Sequence, residues 1–237
     1  MGTPVRFTSG LSTVKSIMPL GDFPFPDPFR SGGSITKGVV SFDSDFTNLS
    51  VNQFTVVGTS STFALEAASL GGTAILTPGG AATASAAYMV PSFMKFVSGS
   101  KMWFVARVKV SAVAGNVVFA VGLRKGADVT DGIWFTKPAA SAVLTLVSAV
   151  DNTATDVATA LLTTAADTYM EVAFYYDGTD VLAFVNGALV ARVSAPTIGS
   201  TATTLTDELL CPFVSITPTA TDTLTIDYVM CAQEVTR

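Results

Sequence analysis

Two residue types are missing or nearly missing from this sequence, which contains no histidine and only two cysteines, Cys211 and Cys231. Without histidine a Ser-His-Asp triad is impossible, and without histidine or a Cys-x-x-Cys pair the usual zinc sites are impossible too. Two isolated cysteines define no disulfide framework. We therefore expect buried free thiols, while a disulfide between the two remains open for an oxidising compartment.

Charge is also scarce. Charged residues make up 13% of the chain, about half the share of roughly 25% in ordinary soluble domains. A solvent-exposed surface of alanine, serine and threonine would explain this, but large uncharged surfaces usually mark contacts. We therefore favour a surface that is largely covered by partners.

The few charges are unevenly distributed within a net charge of −5. Residues 1–37 carry four basic and two acidic residues, whereas the remainder carries nine basic and sixteen acidic residues. An acidic body argues against nucleic-acid binding, which needs basic patches. No apolar run reaches the roughly eighteen residues of a transmembrane helix, and we expect neither a membrane span nor a signal peptide.

Proline and glycine are concentrated in residues 1–38, which we predict to form an extended N-terminal arm because proline fixes φ and removes backbone donors. Phe23, Phe25 and Phe29 lie on this arm, and each would gain about 1.5–3 kcal/mol from full burial. The arm could fold back on its own domain or reach across a neighbouring subunit. We favour the second alternative, because an extended segment loses little entropy on docking.

From residue 39 onward the pattern is that of strands. Residues 169–193 predict three consecutive antiparallel strands, joined by Asp177-Gly178 and Asn186-Gly187, dipeptides typical of type I′ turns. In residues 101–110 the even positions form one apolar face, and the odd positions, which include three basic residues, point to the opposite side. Residues 81–87 are ambiguous between a helical turn and a loop, and 194–208 predict a loop.

About a dozen strands with turns every 8–12 residues predict an all-β fold, a two-sheet β-sandwich over residues 39–237. The segments 101–110, 131–135 (DGIWF) and 174–187 (FYYDG and FVNG) resemble the concanavalin-like jelly roll of lectin and laminin-G-like domains. More specifically, residues 5–14 (VRFTSGLSTV), the PDPF around Asp27 and residues 41–46 (SFDSDF) resemble a family of tailed-phage virion proteins.

That resemblance implies a jelly-roll body with a short N-terminal arm and the role of a capsid decoration, or cement, protein. Its localisation would be the outer surface of the virion capsid, and its partner the major capsid protein. The low-charge surface adds a homo-oligomer, with a trimer favoured over a dimer. The expected capsid-binding residues of the arm are Arg6, Phe23, Phe25, Pro26, Pro28, Phe29 and Arg30.

The alternative function is a carbohydrate-binding or host-receptor-binding jelly-roll module of a virion. We expect no enzyme and no cofactor. The four glutamates include no Glu-x-Asp-x-x-Glu, the paired-carboxylate motif of jelly-roll glucanases. Asp128, Asp131, Asp177 and Asp180 could bind Ca²⁺ but are better explained as turn formers. Trp103 and Trp134 could stack on sugars, yet their apolar strands favour core positions.

Overall fold

The computed structural model describes residues 37–46, 53–66, 72–113, 115–126, 130–201 and 203–236. None of these residues is helical, so the described part of the chain contains no helix that could cross a membrane. The described strands are β1 (Lys37–Ser44), β2 (Phe54–Val57), β3 (Thr62–Leu65), β4 (Ala74–Thr77), β5 (Ser85–Met89), β6 (Met102–Val110), β7 (Val118–Arg124), β8 (Gly132–Lys137), β9 (Val143–Val150), β10 (Thr153–Thr163), β11 (Met170–Tyr176), β12 (Val181–Val185), β13 (Ala188–Val193), β14 (Ile198–Gly199), β15 (Leu205–Thr206), β16 (Cys211–Thr217) and β17 (Leu224–Thr236).

Two antiparallel sheets form a jelly-roll sandwich, which confirms the predicted fold class. The eight-stranded sheet has the order β13-β12-β11-β6-β17-β4-β3, and β1 also pairs with β17. The seven-stranded sheet has the order β10-β9-β8-β7-β16-β5-β2. One side of the sandwich is formed by β10 and β13, which lie against each other. On the opposite side β2 meets β3, where the rings of Phe54 and Phe63 are 5.2 Å apart.

The core lies between the inner faces of the two sheets. As the alternation in residues 101–110 predicts, Met102, Phe104, Ala106, Val108 and Val110 all belong to this core. Trp103 and Val105 face the other way and belong to a separate cluster. Phe104 is fully buried and stacks on Phe174 with a centroid distance of 5.3 Å. This aromatic pair packs β6 against β11 at the centre of the eight-stranded sheet.

The hairpin turns confirm one of the two type I′ predictions in residues 169–193. Asn186 and Gly187 both have positive φ, of 49° and 77°, as a type I′ turn requires. At Asp177-Gly178 only the glycine has positive φ, so the predicted type I′ turn is wrong there. The loop instead extends to Asp180, because Asp177 Oδ1 accepts hydrogen bonds from the backbone N–H groups of Thr179 and Asp180.

Three elements differ from the sequence prediction. Strand β5 occupies part of the ambiguous segment 81–87, because pairing with β2 and β16 determines its conformation where small side chains gave no alternation. Two short strands, β14 and β15, pair within the predicted loop 194–208. The pattern of residues 223–230 predicts a final strand, and in the structure β17 continues beyond it to Thr236, because β1 pairs with it from Val229 onward.

We expect Phe104→Ala to lower the free energy of unfolding by about 3–5 kcal/mol, since it removes a fully buried ring from a close-packed core. Val97→Ala is the matched control at a position that is 44% exposed and lies outside the strands, and it should change the free energy by less than about 0.5 kcal/mol. Chemical denaturation of both variants measures the difference. A cost below about 1 kcal/mol for Phe104→Ala would contradict its central position.

Candidate binding surfaces

The arm residues predicted to bind the capsid all precede residue 37 and lie outside the described residues. The structure therefore does not test Arg6, Phe23, Phe25, Pro26, Pro28, Phe29 or Arg30. Sequence reasoning did not predict the binding surfaces in the described part of the chain. The one signal it provided is the alternation in residues 101–110, which places Trp103 on the face opposite to the apolar core positions. Three such surfaces stand out: the outer face of each sheet and the edge strands.

The outer face of the eight-stranded sheet carries an apolar cluster that we call the outer patch. Its buried members are Trp103, Val105, Ala173, Phe184 and Ala232, and Tyr175, Leu182, Tyr228 and Met230 pack against them. The Trp103 ring stacks on that of Tyr175 with a centroid distance of 5.3 Å and an interplanar angle of 23°. Burial, followed by the charges of Asp177 and Glu234, raises the pKa of Tyr175 to about 12.

A row of polar groups borders the outer patch. The Tyr228 hydroxyl donates a hydrogen bond to Glu171 Oε2, and Arg107 forms an ion pair with Asp227. The Arg107 guanidinium also lies 4.3 Å from the ring centre of Tyr169. Burial raises the pKa of the Glu171 carboxyl, and burial together with Glu171 raises the pKa of Tyr228.

Two atoms on this face are buried without a hydrogen-bond partner among the described residues, Trp103 Nε1 and Glu171 Oε1. One is a donor and the other an acceptor. Directly across the sheet from Glu171 lies Arg107 on β6, not a second carboxylate. Glu171 is thus not paired across the strands in the manner of a glycosidase acid and nucleophile.

The outer face of the seven-stranded sheet carries a second aromatic group. Trp134 and Phe213 meet edge to face at 5.8 Å. The Arg124 guanidinium lies 4.6 Å from the ring centre of Phe213 and 5.5 Å from that of Tyr88. Trp134 is half-buried and belongs to neither apolar cluster, so its predicted core position is wrong. Ile133 and Phe135 point inward instead, because Trp134 alternates with them along β8.

The edge strands form the third surface. Strands β13 and β3 end the eight-stranded sheet, β10 and β2 end the seven-stranded sheet, and β1 is a further edge strand because it pairs only with β17. In the four terminal strands Asp156 and Arg192 are the only charged residues, whereas β1 contains Lys37 and Asp43. Large apolar side chains are exposed on both sides of the sandwich: Val56, Val57 and Leu65 on β2 and β3, and Leu189 and Val190 on β13.

The described aspartates that the sequence offers as Ca²⁺ ligands accept hydrogen bonds from nearby loop and side-chain groups. Although burial opposes it, hydrogen bonds from Thr206, the Asp151 N–H and Thr130 hold the pKa of Asp131 below its usual value. Asp180 accepts hydrogen bonds from the Ala195 N–H and from Arg192, and its pKa is lowered by both. Asp128 lies outside the described residues. Within the described ranges no group of three acidic, cysteine or histidine residues is placed to hold a metal ion.

Both cysteines are buried free thiols. Cys211 lies on β16 and Cys231 on β17, so they belong to different sheets. Burial raises the pKa of each thiol. Their chemistry is therefore that of small apolar residues, because the thiolate is the reactive form.

A cleft of about 470 Å³ lies beside the β9–β10 turn. Its lining consists of Val150, Asp151 and five threonines, Thr153, Thr155, Thr197, Thr203 and Thr204. These residues offer hydroxyl groups but no aromatic ring on which a sugar could stack. The aromatic groups of the two outer faces are thus separate from this cleft.

No protein-family model matches the sequence, and no curated protein matches it. Solved structures do resemble the fold. A protein of unknown function from Shewanella oneidensis MR-1 is 16% identical with a TM-score of 0.58, over 88% of this chain and 91% of that one. The β-glucanase of Bacillus licheniformis is 12% identical with a TM-score of 0.55, over 80% and 96%. A conserved carbohydrate esterase from the Shiga toxin-encoding bacteriophage phi24B is 16% identical with a TM-score of 0.51, over 84% and 100%. At such identities the likeness establishes the glucanase-type, concanavalin-like β-sandwich and nothing more.

Tyr175 should ionise near pH 12 in the folded protein and near pH 10 in the unfolded chain. Because the folded pKa is the higher one, its contribution to stability is complete below pH 10 and is lost as the pH rises from 10 towards 12. The absorbance titration of the parent minus that of Tyr175→Phe isolates this phenol. A difference curve centred near pH 10 would show that the ring is open to solvent.

Proposed function

We propose that this chain is a structural subunit of a virion that decorates the outside of the capsid and has no enzymatic role. The observation that carries the proposal is the near absence of charge on the four strands that end the two sheets. The sequence resemblance to tailed-phage decoration proteins gives the context. The phage esterase is a fold neighbour that adds only that such a sandwich occurs in a phage protein.

Uncharged edges point to assembly because an edge strand presents unpaired backbone groups to any other strand. Soluble proteins usually protect such edges with lysine, proline or a covering segment. Here β2 and β3 contain no charged residue, and β10 and β13 contain one each. Leu189 on β13 is 57% exposed in the single chain. Contact with further copies would remove these apolar groups from water.

The geometry of the edges favours a ring. Exposed apolar side chains lie on β13 at one side and on β2 and β3 at the opposite side. Contact between two unlike surfaces is heterologous, and it closes into a ring when the rotation allows. A homotrimer is the smallest such ring, which is why we propose a trimer over a dimer.

Attachment to the major capsid protein is assigned to the arm, residues 1–38. Its phenylalanines supply apolar contact area, and Arg6 and Arg30 supply positive charge at the rim of that contact. Many copies on one particle would add avidity to a modest affinity for each copy.

Carbohydrate binding is the second candidate. It is supported by the half-exposed Trp134 and Tyr88 on the outer face of the seven-stranded sheet, and by a fold that a β-glucanase and the carbohydrate recognition domain of Emp46p share. It is disfavoured because Arg124 lies over the rings of Phe213 and Tyr88, leaving little open ring surface. The whole sequence also holds only seven asparagines and glutamines, a small supply of amides for binding sugar hydroxyls.

Leu189→Lys should dissociate the oligomer, because it places a charge in the middle of an apolar edge contact. Leu209→Lys is the matched control, since Leu209 is similarly exposed, at 51%, but lies on none of the edge strands. Multi-angle light scattering compares the two variants with the parent. Dissociation in both, or in neither, would contradict assembly through the edges.

Purified particles should contain this chain in numbers comparable to those of the major capsid protein. Removal of residues 1–30 should leave the sandwich folded, because no described strand begins before Lys37, yet it should abolish attachment, because it removes the phenylalanines of the arm. Quantitative mass spectrometry of particles measures both results. A few copies per particle would favour the receptor-binding alternative, and full occupancy by the shortened chain would show that the sandwich itself is the anchor.

A further inference from the structure

The outer patch is buried to a degree that its described neighbours do not explain. Within a single chain, Trp103 is 1% exposed and Val105 and Ala232 are fully buried. Yet all nine described members of the patch belong to one face of the same sheet, on β6, β11, β12 and β17. One face of an antiparallel sheet is ordinarily solvated when no other layer covers it.

The unpaired atoms on this face indicate the chemistry of the missing cover. Trp103 Nε1 is a buried donor without an acceptor, and Glu171 Oε1 is a buried acceptor without a donor, among the described residues. Buried polar atoms of this kind are almost always hydrogen-bonded. A peptide backbone supplies both groups at once, and a proline-rich one supplies carbonyls in excess of N–H groups.

We propose that, in the free subunit, residues 22–30 of the same chain lie across the outer patch and cover it with the side chains of Phe23, Phe25 and Phe29. This inference goes beyond the proposed function, because it concerns the state of the arm before any partner is met. On the particle the same phenylalanines would exchange the outer patch for the shell.

Sequence spacing fits this occupant. Phe23 and Phe29 are six residues apart, which is two turns of a polyproline II helix, so an arm of that conformation directs both rings to the same side. The 36 residues before β1 form the only undescribed stretch longer than six residues.

The chain is also long enough. Lys37 opens β1 four residues before Ser41, which lies opposite Ala232, and Ala232 lies opposite Trp103. With strands about 4.8 Å apart and a rise of about 3.3 Å per residue, Lys37 and Trp103 are separated by roughly 16 Å. The eight-residue step from Phe29 to Lys37 spans up to about 27 Å when extended. No second subunit is needed to bring the arm to this face.

Trp103 fluorescence tests the proposal in the full-length chain. In a Trp134→Phe background Trp103 is the only tryptophan, and we expect a blue-shifted emission with little quenching by acrylamide. Replacing Phe23, Phe25 and Phe29 together by alanine should shift the emission to the red and raise the quenching constant several-fold. Phe7→Ala is the matched control, since it removes an arm phenylalanine outside residues 22–30 and should leave both readings unchanged.

Trp134 serves as a second fluorescence reporter, which shows whether the triple alanine variant remains folded. In a Trp103→Phe background only Trp134 fluoresces, and the triple alanine variant should leave its quenching unchanged. An unchanged Trp103 signal in the triple variant would overturn the proposal. Protection of Trp103 that disappears on dilution, together with dissociation in light scattering, would also overturn it by showing that a neighbour's arm covers the face. Particle attachment is a separate measurement. The proposed function can therefore fail while this inference holds, and this inference can fail while the proposed function holds.

Discussion

A single extra residue in β17 determines how both faces of the eight-stranded sheet are built. The register between β17 and β6 shifts between Ile226 and Tyr228, leaving Asp227 as a bulge. Before the bulge, Leu224 and Ile226 point into the core, and after it Val229 and Cys231 do so. The change of phase turns Tyr228, Met230 and Ala232 to the outer patch. Without the bulge, the second half of β17 would place its outward residues in the core.

The same bulge organises the polar border of the patch. Asp227 is released from the regular alternation and forms its ion pair with Arg107 on the neighbouring strand. Tyr228, the next residue, donates a hydrogen bond from its hydroxyl group to Glu171 on β11. One irregular position thus connects three strands through side chains as well as through the backbone. Core packing and the character of the outer surface are therefore linked in this sheet.

Sequence reasoning succeeded where the physical signal was local. The alternation over residues 101–110 is a property of one strand and the Asn186-Gly187 turn of one hairpin, and the structure has both as predicted. It failed where distant pairing decides the outcome. Strand β5 has small side chains without alternation, and the end of β17 depends on β1, almost two hundred residues away in sequence. The bulge at Asp227 leaves no mark in composition or period.

The candidate surfaces were predicted from the sequence less completely than the strands. The outward side of Trp103 follows from alternation, but its burial depends on atoms beyond its own sheet. Trp134 was expected in the core because its strand is apolar, yet an apolar strand at the centre of a sheet has two faces and only one meets the core. Arg124 was unremarkable in sequence, and its position over two rings arises only when β5, β7 and β16 become neighbours.

The pairing of β1 with β17 has a consequence for modularity. Lys37 and Thr236 are opposite partners in the ladder, and paired backbones in antiparallel strands lie only about 5 Å apart. The chain thus enters and leaves the sandwich at neighbouring points on one edge of the sheet. Such a unit can be circularly permuted, with a short linker closing the old gap, or inserted whole into a loop of another protein. Any segment fused at Thr236 would emerge beside the base of the arm and share the space available to it.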